Sequence, residues 1–500
     1  MFELFSQGLA IALTLENIVF MLIGAILGIV FSAIPALTFS TALILLIPIT
    51  FGLSPVAAIS VLLGVFAGGM TGGSISSILL GIPGTPSAAA TVLDGYPMTK
   101  KGLGGKALGV AIYSSIFGGL VSLVILALVA QPIANIAIKL GPPEMFALVI
   151  FGLSTIIGLS ETSVVKGLLS GLFGLLLCTI GLDPVMGLQR YTFGMTNLMI
   201  GVGLMPVMIG MFALPEIIDS FLTASKNRHK PAEKTEQKVK ASFPSLKEMK
   251  RLFPTNLKAS LIGTFIGAIP GTGGPIAVFL AYDMAKKSNP KVGTGVIEGV
   301  AAPESANNGV TGGALIPLLT LGIPGDSATA IMLGALMIHG LVPGPLLFRD
   351  NGPLVYAIFI SLFIINLMVL VLQYGGMKLF VKVLDVPKVN LMAIILVVSV
   401  VGAFAVNLNY MDIVIMFGAG LLAYFMKRYG FPVVPLILGL VLGGIIENNF
   451  RKSLVFSDGS PIIFVSNAFC IIFLALSVIM LVAPLLKPKF DALRAKMKKA

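Results

Sequence analysis

Two stretches decide how this chain folds: residues 71–97, TGGSISSILLGIPGTPSAAATVLDGYP, and residues 311–345, TGGALIPLLTLGIPGDSATAIMLGALMIHGLVPGP. Each holds a short apolar segment ended by Gly-Ile-Pro-Gly, then a small polar residue, then a second apolar segment. Proline stops a continuous helix, and glycine permits a tight reversal. The pattern predicts a pair of half-helices that enter the protein and turn back. Such broken backbone survives inside a bilayer only where protein buries it or where it lines a wet cavity.

The surroundings of these stretches call for a bilayer. Of 500 residues, 57% are hydrophobic and only 11% are charged, against about 25% charged in soluble domains. Apolar runs cover Ile18 to Phe51, Ala107 to Ala130, Glu144 to Leu159, Gly167 to Gly181 and Thr196 to Pro215. They resume from Leu354 to Leu372, Leu391 to Val406, Ile413 to Phe425, Pro432 to Ile446 and Ile462 to Leu486. With about 20 residues per crossing, roughly ten to twelve transmembrane helices are expected. The fold class is therefore an all-α polytopic membrane protein.

The chain also repeats. Leu22-Ile-Gly and Ala-Ile-Pro35 return as Leu261-Ile-Gly and Ala-Ile-Pro270, the two Gly-Ile-Pro-Gly stretches match, and Gly171-Leu…Gly181 returns as Gly420-Leu…Gly430. In chain order the offsets are 239, 235, 241 and 249, a small drift such as a duplication with minor insertions gives. The expected organisation is an N-terminal transmembrane repeat over 1–225, a basic cytoplasmic linker over 226–258, a C-terminal repeat over 259–486 and a basic cytoplasmic tail over 487–500. The linker carries ten Lys/Arg and the tail six, which reads as the positive-inside signature rather than as a nucleic-acid surface. Lys100, Lys101 and Lys106 oppose a neutralised loop near Arg349, and Lys427-Arg428 oppose the Gly181-Leu-Asp183 turn. Basic loops of one half thus match poor loops of the other. This predicts two inverted repeats, the design of many secondary transporters, with Arg190 and Arg451-Lys452 as misfits.

Residues for binding a solute follow from the breaks. The helix after Gly84 and the one after Gly325 present free N–H groups, which favour an anion, and Thr85, Ser87, Ser327 and Thr329 add hydroxyls. Two elbows, Ser32-Ala-Ile-Pro-Ala-Leu-Thr38 and Ala268-Ile-Pro-Gly-Thr-Gly-Gly274, interrupt apolar runs; Thr272 and Gly273 in the second suit backbone approach to a ligand. Glu304, Asn307 and Asn308 fall on one helix turn. An intramembrane carboxylate is a functional candidate by default, so Glu304 and Asp326 are the expected cation-coupling groups, with Asn307 and Asn308 beside them. Asp94 is expected to cap a turn before Gly95. Neither hairpin contains Lys or Arg, so an anionic substrate needs co-transported Na+ or H+. Cys178 and Cys470 form no metal spacing, the two histidines are far apart, and no phosphate loop or nucleophile–base pair is present. No catalytic residue, resident metal or cofactor is therefore expected.

At SILLGIPGTPSAAATVLDGYPM (77–98), GPPEMFALVIFGL (141–153), EGVAAPESANNGVTGGALIPLLTLGIPG (298–325) and HGLVPGPLLF (339–348) the chain resembles the large membrane subunit of the tripartite tricarboxylate transporters. The likeness covers nearly the whole length. It implies a multi-pass permease of the bacterial inner membrane, working with a small four-helix membrane subunit and a periplasmic solute-binding protein. It implies uptake of citrate-like carboxylates on an ion gradient. Two positions depart from the family pattern: Gly81 stands where many members have Asn, and the first elbow reads Ile34-Pro-Ala-Leu without the usual glycines. Other readings are a stand-alone organic-anion transporter, an anion channel, or a membrane-embedded enzyme.

Overall fold

The computed structural model describes residues 2–34, 37–158, 163–183, 186–226, 241–383 and 388–497. In chain order the helices are α1 (Phe2–Ala12), α2 (Leu15–Ala33), α3 (Phe39–Thr50), α4 (Pro55–Leu80), α5 (Ala89–Lys100), α6 (Gly104–Ala137), α7 (Pro142–Gly158) and α8 (Val164–Cys178). A two-stranded ribbon, β1 (Gly181–Leu182) and β2 (Gln189–Arg190), precedes α9 (Leu204–Lys226). Then come α10 (Leu246–Gly267), α11 (Gly273–Ser288), α12 (Ile297–Leu321), α13 (Ser327–Ile338), α14 (Pro345–Asp350), α15 (Gly352–Val383) and α16 (Lys388–Asn407). The last are α17 (Tyr410–Arg428), α18 (Val433–Phe456) and α19 (Ala468–Met497).

The protein is a multi-pass helical membrane protein. Among the described residues seven helices are long and apolar enough to cross a bilayer, and shorter apolar helices of 10–17 residues accompany them. The ten to twelve expected crossings compare with those seven, because several apolar runs form helices below full spanning length. The chain divides into two compact units, one made of Met1–Asn135 with Glu216–Gly402, the other of Ile136–Pro215 with Ala403–Ala500.

In the first unit, glycine sets the packing. A Cβ on Gly28 of α2 would lie 2.3 Å from the Val65 carbonyl oxygen, and one on Gly72 of α4 would lie 2.6 Å from that of Ile29. The same seam recurs in α10 and α12, where a Cβ on Gly313 would lie 2.3 Å from the Thr264 carbonyl oxygen and one on Gly263 2.0 Å from that of Ala306. Small residues let helix backbones touch, which is how membrane helices associate without a hydrophobic drive between them. The seam also lengthens the helices. The arm before each Gly-Ile-Pro-Gly is no short segment: Gly64, Gly68, Gly72 and Gly73 continue α4 through 26 residues, and α12 runs for 25. Each ends at a left-handed glycine, Gly81 (φ 70°, ψ 18°) and Gly322 (φ 71°, ψ 22°). Only the arm after the break is short, 12 residues in both α5 and α13.

Part of the stretch read as a linker, residues 246–258, is the first half of α10. Ser245 and Glu248 form a capping box there, the start signal that fixes the helix end. Residues 227–240 and the elbow positions Pro35 and Ala36 lie outside the described residues. Glu248 also pairs with Lys106 and accepts from the Ser245 backbone N–H at 3.0 Å. Those bonds, the one from Lys106 foremost, hold its carboxyl down to about 2.

The second unit contains α7, α8, α17, α18, α19 and the ribbon. Ion pairs hold two of the three basic residues that fit the charge pattern badly. Arg190 meets Glu447 at 2.7 Å, and Arg451 meets Asp183 at 3.0 Å and Glu447 at 2.7 Å. Both arginines are thus neutralised within the fold and do not act as unpaired basic charge.

Two outcomes follow from these packing and charge relations. Gly313→Val overpacks the seam and is expected to destabilise the protein by about 1–3 kcal/mol, whereas Gly418→Val, whose Cβ would meet nothing within 4 Å, leaves the thermal midpoint in detergent within a degree or two. A depressed carboxyl adds stability above its ordinary value of 4.5 and loses it as pH falls toward about 2. Glu248→Gln should therefore flatten the acid limb of midpoint against pH and leave the slope above pH 6 unchanged.

Candidate functional site

The breaks of the first unit bring three helix starts together. A single 3-10 turn, Pro86–Ala88, opens α5; Gly273 opens α11; Asp326 caps α13. A Cβ on Gly274 would lie 2.6 Å from Ser87 Cβ, 3.2 Å from Asn307 Oδ1 and 3.3 Å from Ser87 Oγ. One on Gly273 would lie 3.8 Å from Asp326 Cβ. The Gly271 N–H donates to the Gly325 carbonyl at 2.8 Å. The first hairpin tip, the second elbow, the middle of α12 and the second hairpin tip therefore border one small polar region. The first N–H groups of a helix have no partner within it, so helix starts gathered in this way form a positive, anion-accepting environment.

Asn307 faces this region with a free acceptor. Its Nδ2 donates to the Met70 carbonyl at 2.7 Å, but Oδ1 has no hydrogen-bond partner although the residue is fully buried. One helical turn on, buried Thr311 also leaves its hydroxyl unpaired. An unpaired buried polar group costs about 1–3 kcal/mol, so two on one face mark a place where a further partner belongs. Thr85 Oγ1 and Ser87 Oγ lie 3.2 Å apart at the edge of the same region.

The other expected residues divide by role. Gly84 and Gly325 hold the tips against the elbows: a Cβ would lie 2.1 Å from the Ser32 carbonyl oxygen at Gly84 and 2.5 Å from that of Gly267 at Gly325. The Thr272 hydroxyl donates to the Ile269 carbonyl at 2.9 Å and to that of Ile266, closing the end of α10. Thr329 and Asp326 form a capping box, in which Asp326 Oδ1 accepts from Thr329 N (2.8 Å) and Oγ1 (2.7 Å). Ser327 is the first residue of α13 and is half-buried. Asn308 accepts from Thr71 Oγ1 at 3.2 Å and donates to the Glu304 carbonyl at 3.1 Å, so its amide joins α4 to α12. Glu304 is fully buried, and its two oxygens accept from Thr91 Oγ1 (2.6 Å) and Ser115 Oγ (3.0 Å). Hydroxyls from α5 and α6, not basic groups, hold that carboxylate.

Asp94 is the residue whose importance sequence reading missed. It does not cap a turn, because α5 continues through it. Fully buried, it accepts from Tyr282 Oη (2.8 Å), Gly293 N (2.8 Å), Gly295 N (2.7 Å) and Val296 N (2.9 Å). Gly293 and Gly295 have φ of 103° and 85°, which turns successive N–H groups toward one anion. The Gly-Thr-Gly of 293–295 was the available signal. Lys101 Nζ reinforces the join through the Thr294 carbonyl at 2.5 Å.

The model of the Tripartite tricarboxylate transporter TctA family matches residues 18–438. An uncharacterised 52.8 kDa protein from the TAR-I ttuC' 3' region of Agrobacterium vitis is 36% identical over 484 residues, which is 96% of this chain and 95% of that protein. A second uncharacterised protein, from the TAR-II ttuC' 3' region of the same organism, is 35% identical over 227 residues, 45% of this chain and 94% of its own length. No solved structure matches the chain.

Replacing Asp94 by Asn puts two N–H donors where the buried loop offers only donors of its own. Asp94→Asn is expected to cost about 3 kcal/mol or more, read as a lower thermal midpoint. A change below 1 kcal/mol would show that the loop finds other acceptors.

Proposed function

The chain belongs to the tripartite tricarboxylate transporter TctA family, and from that premise we propose that it is the large permease subunit of a binding-protein-dependent secondary transporter. It imports tricarboxylates or related organic carboxylates across the bacterial inner membrane with co-transported Na+ or H+. Its partners are a small four-helix membrane subunit and a periplasmic solute-binding protein that delivers the substrate. The observation that carries this reading is the set of helix starts around Ser87, Gly274 and the unpaired Asn307 Oδ1.

The chemistry is that of anion binding without fixed cations. N–H groups at the starts of α5 and α11, with the hydroxyls of Thr85 and Ser87, meet carboxylate oxygens, the start of α13 being capped by Asp326, while a substrate hydroxyl or a protonated carboxyl donates to Asn307 Oδ1. Neither hairpin supplies Lys or Arg, and Asp326 adds a carboxylate near Gly273. A multiply charged substrate therefore enters with compensating cations or protons, which is the physical basis of symport here. Glu304 is the second coupling group: a buried carboxyl held by two hydroxyls exchanges a proton or Na+ at the cost of little rearrangement. The matched Gly-Ile-Pro-Gly breaks act as re-entrant hairpins of two inverted repeats, and their movement against the elbows opens the site to one side and then the other.

The test is uptake of labelled citrate into proteoliposomes holding this subunit and its small partner, with the binding protein outside and Na+ and pH gradients imposed separately. Accumulation should need the binding protein and one gradient. Asn307→Ala should lower uptake about 2- to 10-fold, the equivalent of one neutral hydrogen bond of about 0.5–1.5 kcal/mol, with the protein still monodisperse. Dicarboxylates accumulated in place of citrate would keep the mechanism and change the substrate. Passive equilibration of many anions with no gradient would overturn coupled transport in favour of a channel.

A further inference from the structure

The second unit contains a cavity of about 310 Å³ between α8, α17 and α18, remote in role from any group used above. Its walls include Phe173, Leu422, Phe425, Met426 and Leu436, with Ser170 as the polar exception. Leu436 and Met426 close its inner side, while Phe173 and Phe425 are exposed at 40% and 45%, so the cavity opens on the outer surface of these helices. Ser170 is buried and its hydroxyl has no partner.

The rim is basic. Lys166 lies in the first turn of α8, where its Nζ donates to the Tyr429 carbonyl at 2.6 Å and sits 5.2 Å from the centre of the Phe431 ring. Tyr429 and Phe431 both line the cavity. Lys427 and Arg428 close α17 immediately before them. Basic residues at a helix C-terminus complement its dipole and need no other reason. Lys166 serves the same end from α8, its Nζ meeting the Tyr429 carbonyl at the close of α17, while the start of α8, where Ser163 makes no side-chain capping bond, adds a second positive end. Lys166, Arg428 and this helix start give the mouth a charge complementary to an anion.

We propose that this cavity binds an anionic phospholipid, its phosphate held at Lys166, Arg428 and the start of α8, and one acyl chain lying against Phe173, Met426 and Leu436. The lining and the rim together select a lipid: apart from Ser170 and the Tyr429 hydroxyl the walls are apolar, as an acyl chain requires, and the mouth is positive, as a phosphate requires. A basic pocket between membrane helices is the recognised setting for such headgroups.

The chain contains no tryptophan, so one introduced tryptophan reports on one place. Phe173→Trp in the full-length protein, reconstituted into bilayers, would be quenched by phosphatidylglycerol or phosphatidylcholine brominated on the acyl chains. Half-quenching should need about 30-fold less brominated phosphatidylglycerol than phosphatidylcholine, as two surface charges at about 1 kcal/mol each predict. Lys166→Gln in the same protein should cut that preference to about fivefold, the share of Arg428. Val124→Trp, on an exposed part of α6, should show no preference, and Leu169→Trp serves if Phe173→Trp fails to fold. Equal quenching by both lipids at position 173, a preference shared by position 124, or one unaffected by Lys166→Gln would overturn the site. So would loss of lipid quenching on adding the small membrane subunit, which would assign the cavity to a protein partner.

Discussion

A helix that stops inside an apolar medium leaves backbone N–H and C=O groups that no water can reach. The first unit meets this constraint by making its interruptions satisfy one another. Gly271 N–H meets the Gly325 carbonyl, and Gly84 N–H meets the Gly73 carbonyl. Those bonds require backbones in near contact, and the glycine seams of α2 with α4 and α10 with α12 bring them there. The polar region gathers part of what this internal pairing leaves over: the starts of α5 and α11, the Asn307 oxygen and the Thr311 hydroxyl.

Much of this was legible in the sequence. Glycine and proline mark a backbone reversal by their own conformational limits, so both breaks could be placed to the residue. A carboxylate and two amides within five positions pointed to one turn of a buried helix or to a solvent-facing amphipathic segment, and the structure has the former. The extent of α4 and α12 was not legible, because Gly64, Gly68 and Gly72 read as breakers when considered singly and act as contact surface when paired with a neighbour. The roles within α12 were equally hidden. Asn307 and Asn308 are adjacent and chemically identical, yet one leaves its amide oxygen unpaired and the other ties α12 to Thr71. The difference is about 100° of helix rotation, which only the packing fixes.

Asp94 shows the same limit from another direction. Its four donors lie nearly 200 positions away in sequence, and no local pattern places a carboxylate of α5 opposite the 293–296 loop. It joins the second arm of one hairpin to the approach to the helix that precedes the other. Glu304 is held from the same arm through Thr91. A shift of α5 is thus felt at two carboxylates at once.

The two glycine seams recur along the chain where the one ionisable face does not. Gly68, Gly72, Gly81 and Gly84 stand 241 positions before Gly309, Gly313, Gly322 and Gly325; a Cβ on Gly68, Gly72 or Gly84 would meet a backbone carbonyl as on its counterpart, whereas Gly81 abuts the Tyr96 ring and Gly322 the Pro343 carbonyl. At that spacing Glu304, Asn307 and Asn308 correspond to Leu63, Phe66 and Ala67. Across that spacing the glycine contact surface recurs in both helices, whereas the buried carboxylate and amides stand in α12 alone. A chain built with α4 at both places would keep the contact surface that sets the helix spacing and lose every ionisable group of that face.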